Sequence, residues 1–174
     1  MPEQIENLMK PAVIEEGAVV DGPWQWVNPI YWPPGGLVST AEDLTRFMLM
    51  VLGDAGENQL LSDDSLAMML TPQEIKGSGV IADWIPFLRP RGTLLAFSPG
   101  WILHDYQGRL VCEHTGAGTA STTLAIVPEE KLGVFVATNA TYSTRSDRMV
   151  SALKFTAIDH FLDLPPTDWI TLLD

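Results

Sequence analysis

The sequence predicts an α/β chain of the α+β kind: an antiparallel sheet, a C-terminal helix packed on one of its faces, and a small helical region ahead of it. Three observations predict this. Strand-like runs follow one another at Trp101–Tyr106, Arg109–Thr115, Thr122–Val127 and Leu132–Thr138 with only short turns between them. Apolar residues recur at helical spacing between Ser146 and Leu162. Two segments between Thr40 and Thr71 carry helix-start signals ahead of apolar runs.

At 174 residues, 46% of them hydrophobic, the chain can bury one core, and a single domain over residues 1–174 is expected. Residues 1–34 read as an irregular lead-in, because Gly22-Pro23, Asn28-Pro29 and Pro33-Pro34 interrupt any regular element. Trp24, Trp26, Tyr31 and Trp32 gather there and are expected to lie over a core edge rather than to stack on a ligand. Residues 35–99 form the helical region. Gly35-Gly36 permits a tight turn. Ser39 and Glu42 then make a capping-box pattern for a helix over Thr40–Leu52 that stops at Gly53. Its Phe47-Met-Leu-Met-Val-Leu52 run is apolar nearly all round, which predicts a buried helix. Ser62, with Asp63 and Asp64 behind it, starts a second helix that ends before Pro72 and has an apolar side of Met68, Met69 and Leu70. From Gln73 to Pro99 no period is visible, so a long irregular excursion is expected.

Residues 100–174 supply the sheet and its helix. Gln107-Gly108 is a two-residue hairpin turn. Alternation along Arg109–Thr115 puts Leu110, Cys112 and His114 on one face and Val111, Glu113 and Thr115 on the other. The next two strands are apolar on both faces, as central strands between layers are. Val150, Leu153, Ala157 and Phe161 form the expected packing stripe of the C-terminal helix.

Composition excludes several classes of function. A net charge of −12 with only ten Lys and Arg lacks the basic footprint of nucleic-acid binding. Five acids against one lysine in the first 21 residues mark a solvated lead-in. Cys112 is the lone cysteine, so no internal disulfide forms. No apolar run approaches the ~20 residues of a membrane span, and Met1-Pro2-Glu3 begins no signal-peptide pattern.

The run Cys112-Glu-His-Thr-Gly-Ala-Gly118 carries the most chemistry. Together with Ser121-Thr-Thr-Leu-Ala-Ile-Val-Pro-Glu-Glu-Lys-Leu-Gly-Val-Phe-Val-Ala-Thr-Asn139 it resembles the third signature of the penicillin-binding, serine β-lactamase-type hydrolases, which include class C β-lactamases, DD-peptidases and esterases. In that family a Lys-Thr-Gly or His-Thr-Gly strand lines the active site. Pro34-Gly-Gly-Leu-Val-Ser-Thr-Ala-Glu-Asp-Leu-Thr-Arg-Phe47 is similar to the family's glycine turn and following helix. The likeness spans roughly residues 30–169 and covers the C-terminal half of the family's catalytic domain. It implies that His114 stands in the place of the triplet's lysine, supplying a proton or a positive charge near the nucleophile and the bound carboxylate. Thr115 would offer its hydroxyl to that carboxylate, Gly116 would allow close approach, and the N–H near Ala117 would form half of an oxyanion hole. Read without the family, His114 is a histidine hydrogen-bonded at a strand end.

The resemblance also exposes a gap. The family's nucleophile is the serine of Ser-x-x-Lys near the start of the domain, and the one such string here, Ser151-Ala-Leu-Lys154, follows the Thr-Gly strand inside the C-terminal helix. It is rejected on position. Trp26-Val-Asn28 is the nearest string to the second signature, with the wrong aromatic. No cofactor or metal is implied. His104, Asp105, Cys112 and His114 do not follow a zinc spacing, Gly116-Ala-Gly118 opens no helix for phosphate, and Glu129-Glu130 reads as a solvated turn. The implied function is the C-terminal portion of a serine hydrolase acting on a β-lactam, a D-Ala-D-Ala peptide or an ester, inactive without its nucleophile. The alternative is a non-catalytic binding or assembly module. Because the family's nucleophile helix covers one sheet face, self-association, a rearranged helix or a partner is expected to cover that face here.

Overall fold

Gln107 and Gly108 both take positive φ, 51° and 78°, the paired left-handed geometry whose twist matches that of the strands it joins. The computed structural model describes residues 7–24, 30, 35–76 and 94–173. Its strands are β1 (Ala12–Glu15), β2 (Ala18–Asp21), β3 (Glu74–Lys76), β4 (Leu95–Ser98), β5 (Trp101–Tyr106), β6 (Arg109–Ala117), β7 (Ser121–Val127) and β8 (Leu132–Thr138). Its helices are α1 (Ala41–Val51), α2 (Asp63–Leu70), α3 (Thr144–Phe161) and α4 (Trp169–Leu173). Strands β3 to β8 lie side by side in sequence order, each antiparallel to its neighbours. The predicted meander is therefore present and is longer than predicted.

Two parts of the sequence hold strands that their irregular look concealed. β1 and β2 form a hairpin inside the lead-in around Glu16-Gly17, whose φ values of 50° and 84° repeat the paired left-handed turn. It joins the main body where Ala12 accepts from the Thr141 N–H at 2.9 Å and donates to the Asn139 carbonyl at 2.8 Å. β3 and β4 bracket the 73–99 excursion. Three- and four-residue strands are too short to show a period. The Trp26, Tyr31 and Trp32 expectation, and residues 77–93, lie outside the described residues.

Each face of the large sheet has its own core. On one, α3 and α4 bury Ala152, Phe155, Ile158, Trp169 and Leu173 against Leu95, Tyr106, Val111, Ala125, Val127 and Val134. On the other, Met48, Val51 and Leu52 pack on Ala96, Trp101, Leu103, Cys112 and Ile126, with Met69 and Leu70 alongside. Helices α1 and α2 thus provide a layer on the face opposite α3. The α1 helix starts one residue later than the capping-box reading, since Thr40 rather than Ser39 is the N-cap and its hydroxyl accepts from Asp43 N–H at 3.1 Å. It is buried on one side only, with Phe47 and Leu49 exposed, because only the side facing the sheet meets a partner. Ser62 caps α2 as predicted, and Leu66, not Met68, faces inward. Lys131 Nζ donates to the Leu52 carbonyl and so satisfies the C-terminal end of α1 from the β7–β8 turn.

Helix α3 has the predicted place but a different inward stripe. Ser143 caps it in a reciprocal box with Ser146. Leu153 and Phe161, two of the four expected packing residues, are 50% and 66% exposed. The buried stripe is instead Val150, Ser151, Lys154, Phe155 and Ile158. The helix is rolled so that a lysine and a serine face the sheet, because polar groups wait for them there.

Candidate active-site strand

Strand β6 changes character midway. Val111, Cys112 and Glu113 are buried, whereas His114 and Thr115 are exposed, Gly116 is half-buried and Ala117 is exposed. The change coincides with the end of the β5 ladder: β5 pairs with β6 only from Tyr106↔Arg109 to Ile102↔Glu113, whereas Thr115↔Thr123, Gly116↔Thr122 and Ala117↔Ser121 continue the ladder with β7, where Thr123 and Ser121 stay buried. The four residues singled out from sequence are contiguous along this open half.

The His114 Nδ1–H donates to the Thr115 carbonyl at 3.1 Å. That bond leaves Nε2 as the basic nitrogen of the neutral ring. Thr115 lies on the opposite face of the strand by alternation. Gly116 needs to be glycine for a reason the sequence did not disclose: a Cβ there would collide with Thr122 Oγ1 on the neighbouring strand. The strand's far end is held where Tyr142 N–H donates to the Gly118 carbonyl at 2.9 Å. Next to it, Ser121 Oγ and Ser146 Oγ lie 2.8 Å apart and tie β7 to α3.

Beneath the open half, on the α3 side, sits a buried charged group that sequence reading missed. Glu113, Lys154 and His104 are each at most 1% exposed. Lys154 Nζ donates to Glu113 Oε2, and His104 Nε2 lies 3.4 Å from the same oxygen. Burial drives the Glu113 carboxyl upward, but the Lys154 ammonium and the His104 imidazole outweigh it and hold the group below the usual carboxylate range. Half-buried Asp147 goes the other way, raised by burial and by the charge of Glu113 against the pull of Lys154. Burial, and then Glu113, push the Cys112 thiol up to about 12, so it is chemically inert in the folded protein. A sequence signal did exist for this cluster. Alternation sent Glu113 toward the helix-covered face, where a carboxylate requires a cation, and Lys154 interrupts the apolar side of the helix packed there.

The Ser151-x-x-Lys154 string lies wholly inside the α3–sheet interface. Both residues are 0% exposed and Lys154 is held by Glu113, so no substrate reaches Ser151 Oγ. The four-residue metal alternative also separates, because Leu103 pairs with Cys112 and His104 therefore projects from the opposite face. Among the described residues no group of three or more His, Cys, Asp or Glu is placed to hold a metal ion. A cavity of about 410 Å³ lies at the α3–α4 corner, bordered by Asp159, His160 and Asp163, away from the candidate strand.

A family model described as Beta-lactamase matches residues 10–157, spanning β1 to most of α3. The chain belongs to the beta-lactamase family. The His114-Thr115-Gly116 strand, the glycine turn and the helix after it all fall within the matched region. Membership makes the chain part of a serine-hydrolase-like family. No curated protein and no solved structure matches it. No helix among the described residues is long and apolar enough to cross a membrane.

Proposed function

We propose that this chain is the ligand-facing portion of a β-lactamase-like serine hydrolase, built for acyl transfer on a β-lactam, a D-Ala-D-Ala peptide or an ester, and inactive alone. The observation that carries the reading is the switch from buried to open between Glu113 and His114, which leaves the family's substrate triplet accessible and the core beneath it closed. When a serine hydroxyl from another segment is brought beside β6, its oxygen attacks the substrate carbonyl carbon. Its proton passes to a base, a role open to His114 Nε2. The carbonyl oxygen becomes an oxyanion that the Ala117 N–H can donate to, and collapse expels the lactam nitrogen, amine or alcohol, which takes up the proton. A substrate lying along the edge of β6, beyond the Ile102↔Glu113 end of its pairing with β5, can meet side chains of both faces, so Thr115 can donate its hydroxyl to the substrate carboxylate; water then hydrolyses the acyl-enzyme. Ser151 cannot take the attacking role because it is buried beneath the strand.

The test uses the purified chain with a chromogenic β-lactam, a p-nitrophenyl ester and a fluorescent penicillin. The expected result is no turnover and no covalent label. NMR titration with D-Ala-D-Ala is expected to shift amides of residues 114–117 and few others. Covalent labelling at Ser151, or shifts confined to another surface, refutes the reading.

One observation favours the alternative role of a non-catalytic assembly module that self-associates. Among the described residues no strand pairs with the outer side of β8, whose Leu132–Thr138 run carries no charge and no proline. The opposite edge, β3, is three residues long and carries Glu74 and Lys76, the usual protection of an edge. An antiparallel pairing of β8 with a second copy would join two sheets through a self-complementary edge. Sedimentation as a function of concentration tests it: Ala137→Lys, at an exposed edge position, is expected to abolish a dimer. A wild-type monomer at all concentrations removes this reading.

A further inference from the structure

We propose that the outward face of α3 is a docking surface for a second copy of the chain, which packs antiparallel to it about a two-fold axis beside Leu153. Because Ser151, Lys154, Phe155 and Ile158 are the side buried against the sheet, three large apolar side chains are left on the solvent side of the helix. Met149 is 42%, Leu153 50% and Phe161 66% exposed. Ala157 lies half-buried between the last two, so the four follow one another at four-residue steps along the helix. Single apolar residues scattered over a surface need no partner, but a contiguous row of them marks an interaction site.

The charges say which partner fits. Two copies of a chain with a net charge of −12 repel each other, and α3 offers a face that lessens the repulsion. No exposed residue of this helix is a carboxylate, since Asp147 is half-buried and Asp159 buried. Opposite charges stand at its two ends. Arg145 is exposed in the first turn, and Asp163 is exposed just past the C-cap Leu162. The two are equidistant from residue 154, with the apolar row between them. An antiparallel copy therefore sets Arg145 against the partner's Asp163 at both ends and lays row on row in the middle. A parallel copy would oppose arginine to arginine and aspartate to aspartate, and would align the two helix dipoles unfavourably. Equal spacing of opposite charges about an apolar centre suits an isologous contact, in which one patch serves both subunits. An unrelated partner has no need of that symmetry. The surface is separate from the edge of β8, so neither pairing depends on the other.

The test is sedimentation as a function of concentration in the Ala137→Lys background, which abolishes pairing through β8 and leaves this dimer. Leu153→Lys is expected to make that protein monomeric. Arg145→Asp or Asp163→Arg alone should raise the dissociation constant by about tenfold or more, because each opposes like charges at both ends. Mixing these two single variants in equal amounts recreates both opposite-charge contacts and should return the mixture to dimer, which also shows that each variant folds. An Ala137→Lys protein that is monomeric at all concentrations overturns the inference. So does a Leu153→Lys variant that still dimerises as tightly, or a mixture of the charge variants that stays monomeric. Failure of the β8 reading is seen separately, as wild type and Ala137→Lys that sediment alike.

Discussion

Removing only the cation, as in Lys154→Met, isolates the energetics of the buried cluster. Lys154 is 0% and Glu113 1% exposed, so the substitution leaves a carboxylate in the core with His104 beside it and the like charge of Asp147 acting on it. Breaking a buried pair from one side destabilises by about 3–5 kcal/mol, a large part of the ~5–15 kcal/mol that holds a typical domain. The pH dependence should also change sign. In the wild type the folded Glu113 pKa lies below its unfolded value. Its contribution is therefore complete above the unfolded value of about 4.3 and is lost as pH falls from there toward the folded one. In Lys154→Met, burial dominates and the folded pKa rises above the unfolded one, so stability should recover as pH falls from about 7 toward 5. Asp147 reinforces the reversal, because Lys154 also opposes its upward shift. Urea unfolding followed by tryptophan fluorescence, with Trp101 and Trp169 both buried, measures the effect at a series of pH values. A loss below about 1 kcal/mol at pH 7, or a variant that weakens on acidification over that window, would refute the reasoning.

Gly116→Ala drives a Cβ into Thr122 Oγ1 and should destabilise by roughly 1–3 kcal/mol. Adding Thr122→Ala should restore most of that in a thermal melt, and no restoration would mean that the neighbouring strand is not what requires glycine. Asp159 accepts from Tyr106 Oη and, at 2.7 Å, from Trp169 Nε1. Asp159→Ala therefore removes the buried acceptor that Tyr106 and Trp169 share and should lose about 2–5 kcal/mol, with a red shift of Trp169 emission as α4 detaches; an unchanged spectrum contradicts this. Cys112, buried and with its thiol pushed up to about 12, should react with a thiol reagent at pH 8 only as fast as the protein opens. Prompt stoichiometric labelling of native protein would show the site to be accessible.

Much of the fold was legible because its signals are local. The Gln107-Gly108 turn, the Ser62 cap and the stop of α1 at Gly53 each depend on the conformation or hydrogen bonding of a few adjacent residues. The candidate strand was legible as a motif, and its inside–outside alternation follows from strand geometry. The lead-in hairpin and the β3–β4 pair were not, since short strands with mixed polarity become strands only by pairing with one another or with β5.

The amino-acid order alone therefore determined where most helices and long strands run and which residues share a face of β6, because backbone period and end-capping act between neighbours in the chain. Tertiary structure decided which stripe of α3 turns inward, where β5 stops pairing with β6, and why Gly116 has no room for a side chain. Those outcomes depend on groups far apart in the chain meeting in space. A lysine reads as a surface residue until a buried carboxylate 41 positions earlier supplies the charge that allows it to leave water.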